Sequence, residues 1–330
     1  MYNTQFHTNN ISNSTFLVTG GAGFIGSNLV EYLLNFKAGK VRVLDNLATG
    51  FEQNISSFFA LPNFEFIKGD ICNIHDCNTA MEGIDFCFHQ AALGSVPRSI
   101  ENPIATNNAN VNGFLNVLIA ARDAKVKRLV YASSSSVYGD SQALPKVEDI
   151  IGKPLSPYAV SKLVNEQYAD IFAKTYGMEI VGLRYFNIFG PKQNPKGAYA
   201  AAIPLFMDAI VKNVSPFING DGEQTRDFTF VENAVQANVK AMFSEEKSIS
   251  PEVFNIAVGE RVSVKQLYEL LRKISGSSLQ ATNREERPGD VRNSLADISK
   301  AITKLKFKPT VQCEEGLKIT FDWFKNNMSK

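Results

Sequence analysis

Short apolar runs alternate with helical patterns through the first 185 residues, and this alternation most restricts the fold. Six runs are predicted to be buried strands, at residues 16–20, 41–45, 64–70, 85–92, 128–134 and 179–185. Helical patterns lie between them, most clearly at residues 24–36, 103–124 and 157–175. Strand and helix in turn imply right-handed crossovers. The sequence therefore predicts an α/β fold with a doubly wound parallel sheet covered by helices on both faces.

Beyond residue 185 the pattern loosens into loops rich in Gly, Pro and Asn, which separate helices near residues 201–212, 231–243 and 263–274. We expect a sheet domain over residues 15–185 and a smaller α/β lobe over residues 186–330. The run at 252–259 is typical of another strand, so the chain is expected to return to the first domain near residues 228–260. The polar residues 1–14 lack the pattern of a signal peptide and are predicted to be a flexible tail.

The charge balance disfavours nucleic acid and membrane surfaces as partners, because the chain has 34 basic and 33 acidic residues and a net charge of +1. The most apolar stretch, residues 16–34, contains four glycines together with Asn28 and Glu31, which argues against membrane spanning. The four cysteines form no CxxC pair, and the three histidines form no metal-ligand motif. We expect no metal site, and free thiols in a reducing cytoplasm.

A glycine motif follows the first predicted strand. Gly21, Gly23 and Gly26 form GxGxxG between strand and helix, and Asp45 ends the next strand. Such glycines allow a tight turn and the close approach of a pyrophosphate to a helix N-terminus. Asp45 would accept hydrogen bonds from a ribose 2′-hydroxyl and repel a 2′-phosphate. The motif therefore predicts NAD, with Gly20, Phe24, Ile25 and Asn46 as further contacts.

A tyrosine and a lysine lie four positions apart in the stretch SPYAVSK, residues 156–162. On a helix, Tyr158 and Lys162 share one face and would point into one cleft. Pairs at this spacing also occur on solvated helix faces, so the pair alone does not indicate chemistry.

Five motifs in a fixed order identify a family resemblance. They are the glycine loop, HQAA at 89–92, SSSSVYG at 133–139, YxxxK at 158–162 and LRYFNIFGP at 183–191. With them the chain resembles the extended short-chain dehydrogenase/reductases, and more narrowly the nucleotide-sugar 4-epimerases, closest to the bacterial branch acting on UDP-N-acetylhexosamines. The resemblance extends from about residue 15 to the C-terminus and implies a Rossmann-type fold.

The resemblance implies a catalytic group. These epimerases hold NAD tightly, oxidise C4 of the hexose while a base takes the O4 proton, turn the 4-keto sugar over and reduce its other face. Tyr158 matches the base, and Lys162 with the nicotinamide would favour its phenolate, since a phenol has a pKa near 10. Ser134 matches the hydroxyl that relays protons to O4, although its serine neighbours at 133–136 leave the position open. Ser133 and Ser136 are expected to cap backbone groups.

The resemblance also implies binding residues. Asp70 and Ile71 match the adenine contacts, Ala91 and Ala92 line the cofactor path, and Tyr185 lies near the nicotinamide ribose. The candidates for holding the UDP-sugar are Gly94, Ser95, Ser134, Ser135, Asn187, Ala202, Phe217, Arg226, Arg287, Asp290 and Ser294. Arg226, Arg287 and Asp290 match the residues that grip UDP, and Phe217 lies where uracil is expected. An arginine fork suits a diphosphate.

Neighbouring reactions of the same family remain alternatives. The 4,6-dehydratases carry an acidic pair after the relay hydroxyl, and UDP-uronate decarboxylases usually carry a glutamate before VYG; this chain has serine at both places. Without a carboxylic acid there, elimination lacks its proton donor. Epimerisation is therefore favoured over dehydration or decarboxylation. A dinucleotide-sensing regulator without turnover is the alternative that is not an enzyme.

The substrate prediction depends on Ser294, which stands where a large aromatic residue would restrict the family's pocket to plain hexoses. A small side chain leaves room for an acetamido group, as do the small residues of 198–204. We predict UDP-GlcNAc and UDP-GalNAc as substrates, with UDP-Glc and UDP-Gal slower, while Arg98 leaves a uronic-acid sugar open. Relatives dimerise through the helices matching 103–124 and the one bearing Tyr158, so a homodimer is expected.

Overall fold

In the computed structural model of the protein, the described residues are 2–195, 201–286 and 292–328. Within them, seven strands form one parallel sheet and six short strands pair outside it. The strands are β1 Thr15–Thr19, β2 Lys40–Asp45, β3 Phe64–Lys68, β4 Phe86–His89, β5 Arg128–Ser134, β6 Ile180–Tyr185, β7 Ile188–Phe189, β8 Phe217–Asn219, β9 Thr225–Arg226, β10 Thr229–Phe230, β11 Val253–Ile256, β12 Val262–Ser263 and β13 Thr282–Arg284.

The strand order of the main sheet is β11, β6, β5, β4, β1, β2, β3. Because β1 pairs with both β2 and β4 in parallel, the direction of winding reverses beside β1. Ligands of doubly wound sheets bind at such a switch point, beyond the carboxyl ends of the strands. The predicted Rossmann-type α/β fold is confirmed, and each of the six predicted strands lies within two residues or so of its expected start.

Helices cover both faces of the sheet. The helices are α1 Phe24–Asn35, α2 Ile74–Met81, α3 Val96–Glu101, α4 Pro103–Asn107, α5 Gly113–Asp123, α6 Pro157–Tyr176, α7 Ala202–Val211, α8 Val231–Phe243, α9 Val264–Ser275, α10 Ser299–Leu305 and α11 Cys313–Met328. Phe16 and Val18 face α1 and α8, whereas Leu17 between them faces α2, α5 and α6, as the two-residue period of a strand requires.

Helix α6 owes its bounds to local sequence signals. The hydroxyl of Ser156 accepts a hydrogen bond from the backbone N–H of Ala159 at 3.2 Å, and Pro157 occupies the first turn. Gly177, in the left-handed conformation at φ 68°, ends the helix. The proline before Tyr158 is thus a helix-start signal.

The helix predicted at 103–124 is interrupted. A π-helical turn, Asn108–Asn112, separates α4 from α5, and α3 precedes them over a stretch for which no helix was predicted. The side chain of Asn110 accepts from the backbone N–H of Leu93 at 2.8 Å and donates to the hydroxyl of Ser161 at 3.1 Å. Bulges of this kind often mark functional sites. Here the turn connects Leu93, which follows β4, to the helix that carries Tyr158.

The N-terminal segment is packed rather than frayed, which corrects the expectation of a flexible tail over residues 1–14. Tyr2, Phe6 and Ile11 are buried in the core that contains α1 and α8. The Phe6 ring stacks on Tyr32 at a centroid distance of 5.4 Å, and the Tyr2 hydroxyl donates to Asn28 at 2.8 Å. Three spaced apolar side chains suffice to dock an otherwise polar segment, which its composition concealed.

The second lobe packs α7, α9 and α11 around a core that includes Phe206, Tyr268 and Phe324. Two small sheets, β8 with β13 and β9 with β12, border this core. Helix α8 packs on α1 and the main sheet, and β11 pairs with β6. The segment from α8 to β11 therefore belongs to the first domain although it lies between elements of the second.

Candidate functional site

The turn between β1 and α1 accepts only glycine at its critical positions. Gly20 has φ 68°, and a Cβ there would lie 2.6 Å from the backbone nitrogen of Ala91. A Cβ on Gly26 would lie 2.1 Å from the carbonyl oxygen of Gly20. Gly23 caps α1 without a side-chain hydrogen bond, and the first turn has no acidic residue. The helix N-terminus therefore offers its N–H groups and positive dipole end to an anion.

Asp45 closes β2 beside this turn. Its Oδ2 accepts from the backbone N–H of Ala22 at 2.9 Å, and its Oδ1 accepts from that of Leu47 at 2.8 Å. Burial raises the pKa of Asp45, while these backbone hydrogen bonds act to lower it. Each carboxylate oxygen has a second lone pair, so the group holds the turn and can still accept from ribose hydroxyls.

One cavity of about 850 Å³ lies beyond the carboxyl ends of the strands and gathers the predicted cofactor residues. All fourteen of them line it: Gly20, Gly23, Phe24, Ile25, Gly26, Asp45, Asn46, Asp70, Ile71, Ala91, Ala92, Tyr158, Lys162 and Tyr185. Gly94, Ser95, Ser134 and Asn187 from the predicted substrate set also line it. A dinucleotide fits here, because the wall combines the glycine turn, the N-terminus of α1 and the Asp45 carboxylate.

The end of the cavity beside β2 and β3 contains a small polar network. The Asn46 amide donates to Asp70 at 2.9 Å, and the backbone N–H of Cys72 donates to the other oxygen of Asp70 at 2.8 Å. Burial opposes ionisation of Asp70, but the two hydrogen bonds hold its pKa below the ordinary value. Asp70 is therefore a charged acceptor at neutral pH.

The catalytic candidates meet at the end of β5. The hydroxyl of Tyr158 hydrogen-bonds with that of Ser134, and the ammonium of Lys162 donates to the carbonyl of Ala132 at 2.8 Å. Burial raises the pKa of Tyr158, and the bond to Ser134 lowers it. Burial lowers the pKa of Lys162 to about 8, against the field of Glu166. Lys162 is thus mostly protonated at neutral pH beside a phenol that needs further positive charge to ionise.

The structure separates the four serines of 133–136. Ser134 meets Tyr158 and also accepts from the backbone N–H of Ser136 at 3.1 Å. Ser133 was expected to cap the backbone; instead its hydroxyl donates to Glu166 at 2.6 Å, because its side chain points towards α6. Ser135 is half-buried but is not among the described residues that line the cavity, and the hydroxyl of Ser136 is buried without a hydrogen bond.

Tyr185 is fixed by two amides. Its hydroxyl donates to Gln90 at 3.1 Å and accepts from Asn238 at 2.6 Å, while Gln90 also donates to Asn238 at 3.0 Å. Burial raises the pKa of Tyr185, so the phenol stays neutral. The sequence identified Tyr185 but not Gln90 and Asn238, the two amides that hold its hydroxyl. A single amide side chain forms no sequence pattern that would indicate such a role.

A second cavity of about 230 Å³ lies in the smaller lobe and contains Ala202, Phe217 and Arg226. Asn187 and Gln193 line both cavities, so the two are continuous. Asn187 adopts φ 38° and donates to the carbonyl of Asp227 at 3.2 Å, which aims the chain from the sheet into the lobe. Together the cavities form one groove that runs from the glycine turn into the smaller lobe.

The far end of the groove combines an aromatic ring with cations. The guanidinium of Arg284 lies 5.4 Å from the centroid of the exposed Phe217 ring, and Arg226 donates to the carbonyl of Thr225 at 2.9 Å. Arg284 and Gln193 are lining residues that the sequence reasoning missed. Gln193 follows the FGP motif by two positions, which is the one signal that pointed towards it.

Four predicted substrate residues are not placed in the groove, and Ser135 is one of them. Ser294 is buried, its backbone N–H donates to the carbonyl of Thr225 at 3.1 Å, and it is absent from the described residues lining either cavity. Arg287 and Asp290, like residues 198–200, lie outside the described residues. Ser294 nevertheless adjoins β9, one residue from the lining Arg226.

Two further observations apply to the described ranges 2–195, 201–286 and 292–328. They contain no cluster of three His, Cys, Asp or Glu side chains arranged to hold a metal ion. They also contain no helix with the length and apolar content needed to cross a bilayer.

Comparison with known proteins gives a consistent result. A family model described as NAD dependent epimerase/dehydratase family matches residues 16–257. A putative UDP-glucose 4-epimerase of Methanocaldococcus jannaschii is 39% identical, over 94% of this chain and 98% of that protein.

Solved structures agree over nearly the whole chain. A UDP-N-acetylglucosamine 4-epimerase from Methanobrevibacter ruminantium, in complex with UDP-N-acetylmuramic acid, is 38% identical with a TM-score of 0.90, covering 96% of this chain and 99% of the other. A UDP-glucuronic acid 4-epimerase from Bacillus cereus, in complex with its substrate and NAD, is 34% identical with a TM-score of 0.88, covering 94% and 99%.

Proposed function

Because the chain belongs to the NAD-dependent epimerase/dehydratase family and is a UDP-sugar 4-epimerase by its relatives, we propose that it interconverts UDP-GlcNAc and UDP-GalNAc. The reaction passes through a transient 4-keto sugar, and UDP-Glc and UDP-Gal are weaker substrates. The observation that carries the proposal is the meeting of Tyr158, Ser134 and Lys162 at the end of one cavity whose other end is the glycine cradle.

The cofactor is NAD, and the chain's own groups define how it would be held. The N-terminus of α1 would receive the pyrophosphate, Asp45 would accept from the adenosine ribose, and Asp70 with Ile71 would border the adenine. Bound NAD supplies a hydride acceptor, and later donor, at its nicotinamide. Asp45 disfavours a 2′-phosphate, because its carboxylate is negative and its oxygens already accept from the backbone at 2.8 and 2.9 Å.

Tyr158 is the base that takes the proton from O4. Its own surroundings raise the pKa of the phenol, so ionisation depends on positive charge brought close to it. Lys162 supplies one such charge from within the chain, and its bond to Ala132 fixes the ammonium one helical turn from Tyr158. Ser134 hydrogen-bonds to the phenol and can pass the proton between O4 and Tyr158.

The smaller lobe holds the nucleotide while the hexose turns over. Arg226 presents a guanidinium to the diphosphate, and Phe217 offers an apolar face where uracil would lie. Arg287 and Asp290 are proposed partners in the same grip. Fixing UDP at one end leaves only the bond to the sugar free to rotate, so both faces of the keto sugar can be presented at the same place.

The distribution of carboxylates favours epimerisation over dehydration or decarboxylation. Among the described residues that line the larger cavity, the carboxylates are Asp45 and Asp70. Asp45 ends β2 and Asp70 follows β3, whereas Tyr158 lies beside β5, three and four strands away from them, or roughly 14 and 19 Å. Elimination of water needs an acid next to the base, and none of these groups is there.

The preference for an N-acetylated sugar rests on small side chains. Ala202 lines the groove. Ser294 adjoins β9 without being among the described residues that line either cavity, and it matches the family position at which a large aromatic residue restricts the pocket to plain hexoses. Overfilling such a space costs about 1–3 kcal/mol, enough to decide between sugars. Arg98 lines the larger cavity, where it donates to the carbonyl of Gly94 at 3.3 Å, and keeps a uronic-acid sugar as the alternative substrate.

We propose that the enzyme works as a homodimer in a reducing cytoplasm, where its four cysteines remain free thiols. Apolar side chains on α4 and α6 are unusually exposed: Ile104 by 74%, Val160 by 48% and Ile171 by 55%. Exposed apolar stripes on neighbouring helices suit packing against a second copy. The oligomeric state is measured by light scattering, and a monomer at micromolar concentration would contradict the dimer.

One assay tests the reaction, the cofactor and the sugar together. Purified protein, without added NAD, is incubated with UDP-GlcNAc, UDP-Glc and UDP-GlcNAcA, and the products are separated and weighed by mass spectrometry. We expect an epimer of unchanged mass, formed fastest from UDP-GlcNAc. Faster turnover of UDP-GlcNAcA would identify the uronic-acid sugar as the substrate. A product lighter by the mass of water or carbon dioxide would show dehydration or decarboxylation in place of epimerisation. Binding of NAD without turnover of any sugar supports the regulator.

A further inference from the structure

Three successive residues of β5 are each joined to one turn of α6. Tyr158 bonds to Ser134, Lys162 bonds to the carbonyl of Ala132, and Glu166, one turn further on, receives the hydroxyl of Ser133 at 2.6 Å. The first two of these contacts belong to the catalytic group. The third extends the same series of contacts to a residue with no assigned role.

Glu166 is also half of a buried ion pair. Its two oxygens accept from the Nε and Nη2 atoms of Arg184 at 2.8 and 2.7 Å, and the side chains are 9% and 4% exposed. The other amino group of Arg184 donates to the Tyr138 hydroxyl at 3.0 Å and to the Glu148 carbonyl at 2.8 Å. The fork is therefore fixed from both sides.

Stability alone does not account for such a pair. Removing two charges from water costs several kcal/mol per ion, and apolar residues of similar volume are often as stable. Glu166 lies one helical turn from Lys162, so the charges of the pair act on Lys162 and Tyr158. Charges a few ångströms apart in a protein interior interact strongly. Glu166 acts on Lys162 directly, because its field opposes the lowering of the Lys162 pKa by burial.

We propose that Glu166 and Arg184 are positioning residues that hold the Tyr158 and Lys162 pair in place and keep the net charge behind it near zero. The inference rests on the proposed function, in which Tyr158 is the base. While both partners are charged, the ion pair fixes α6 to β5 and β6 without adding net charge to the site. If one partner is removed, the charge of the other would shift the pKa values of Tyr158 and Lys162, downwards for a positive charge and upwards for a negative one.

Several other ionisable groups surround the Glu166 and Arg184 pair. Those that face it from the surrounding elements are Lys162 and Asp170 on α6, Tyr131 on β5, Tyr138 after β5, Glu148 in the following loop, and His89 on β4 near Lys162. Burial raises the pKa of Tyr138 to about 12 and lowers that of His89 to about 3, so both are neutral around pH 7. Burial also raises the pKa of Glu148.

A charge cycle with opposite signs tests the proposal. Glu166→Gln keeps the shape of the side chain and an acceptor for Ser133, but it leaves the charge of Arg184 uncompensated. Both limbs of the profile of kcat against pH should therefore move to lower pH, by roughly half to one pH unit. Arg184→Met leaves Glu166 negative, so both limbs should move up by a similar amount. The double variant should return the limbs close to wild type.

Ser133→Ala is the matched control, because it removes a hydrogen bond to the same carboxylate without changing charge. Its limbs should stay within about 0.2 unit of wild type. Equal losses of kcat in all variants, with no opposite shifts, would reduce the pair to a structural role. If Arg184→Met fails to fold, the downward shift of Glu166→Gln relative to Ser133→Ala decides the matter alone.

Phenol titration separates this inference from the proposed function. Ultraviolet difference spectra of each variant against the same variant carrying Tyr158→Phe report the ionisation of Tyr158 without turnover. Opposite displacements for Glu166→Gln and Arg184→Met support the charge balance even if the sugar substrate is wrong. Identical titrations in all variants overturn it, even if the enzyme is an epimerase.

Discussion

The ammonium of Lys162 donates a hydrogen bond to the carbonyl of Ala132 at 2.8 Å, which places a buried positive charge one helical turn from the Tyr158 phenol. Strand β5 thereby fixes both members of the pair, since Ser134 two residues on bonds to Tyr158. The pair is defined by a strand and a helix, which hold side chains more rigidly than loops do.

Lys162 should be retained for activity at the expense of stability. Burial lowers its pKa from 10.5 to about 8, so its protonated form destabilises the fold below pH 8, and this cost is relieved as pH rises towards 10.5. We expect Lys162→Met to unfold with a free energy about 1–3 kcal/mol larger at pH 7, with the gain vanishing near pH 10. Urea unfolding across pH measures it, and a variant less stable at every pH would contradict the sign.

The same lowered pKa predicts an alkaline limb in the activity. Above about pH 8 Lys162 loses its proton, and with it the charge that favours the phenolate. We expect kcat to fall above that pH in the wild type. The profile of Lys162→Arg, whose guanidinium stays charged, should lack this fall although its overall rate is lower. An unchanged alkaline limb in that variant would assign it to another group.

Gly20→Ala should abolish retention of NAD. The added Cβ would lie 2.6 Å from the backbone nitrogen of Ala91 at φ 68°, so steric overlap is added to backbone strain. Gly83→Ala is the matched control, because Gly83 has the same φ of 68° but no atom within 4 Å of the new carbon. The control should lose only about 1–2 kcal/mol of stability and keep its cofactor. NAD released by denaturing each purified protein is the measurement.

Phe6→Ala should destabilise the protein as a core substitution does. Phe6 is 5% exposed and stacks on Tyr32, whereas Phe59, which serves as control, is 46% exposed. We expect a loss of about 3–5 kcal/mol for Phe6→Ala and a much smaller one for Phe59→Ala. Calorimetric melting compares them. A loss for Phe6→Ala as small as that for Phe59→Ala would show that the N-terminal segment does not contribute to the fold.

Ser294→Tyr should select against the acetylated sugar. The phenol ring would reduce the space near β9, so turnover of UDP-GlcNAc should fall by at least tenfold relative to UDP-Glc. Because the backbone of Ser294 bonds to Thr225, general damage to β9 is the competing outcome. An equal loss on both sugars would indicate that damage and remove Ser294 as the determinant.

The sequence predicted those parts of the molecule whose local pattern is decisive. The apolar strand runs, the glycine turn and the Ser156–Pro157 helix start all act within a few residues, and the structure has each of them. The fourteen cofactor candidates came partly from the glycine motif and partly from the family resemblance, and one cavity gathers them.

What the sequence concealed depends on distant partners. The π-helical turn at Asn110 is held by Leu93 and Ser161, and the docking of Phe6 depends on Tyr32. Ser133 was predicted to cap backbone groups, but it donates to Glu166 because α6 packs against this part of β5. Such contacts carry no periodic or spacing signal, so tertiary packing overrides the local expectation.

The most direct measurement compares wild type with Tyr158→Phe on UDP-GlcNAc, without added NAD. We expect wild type to yield the 4-epimer at unchanged mass, and the variant to retain its NAD while turnover falls by about 10²–10⁴-fold. Undiminished turnover in the variant, or a wild-type product of lower mass, would contradict the account.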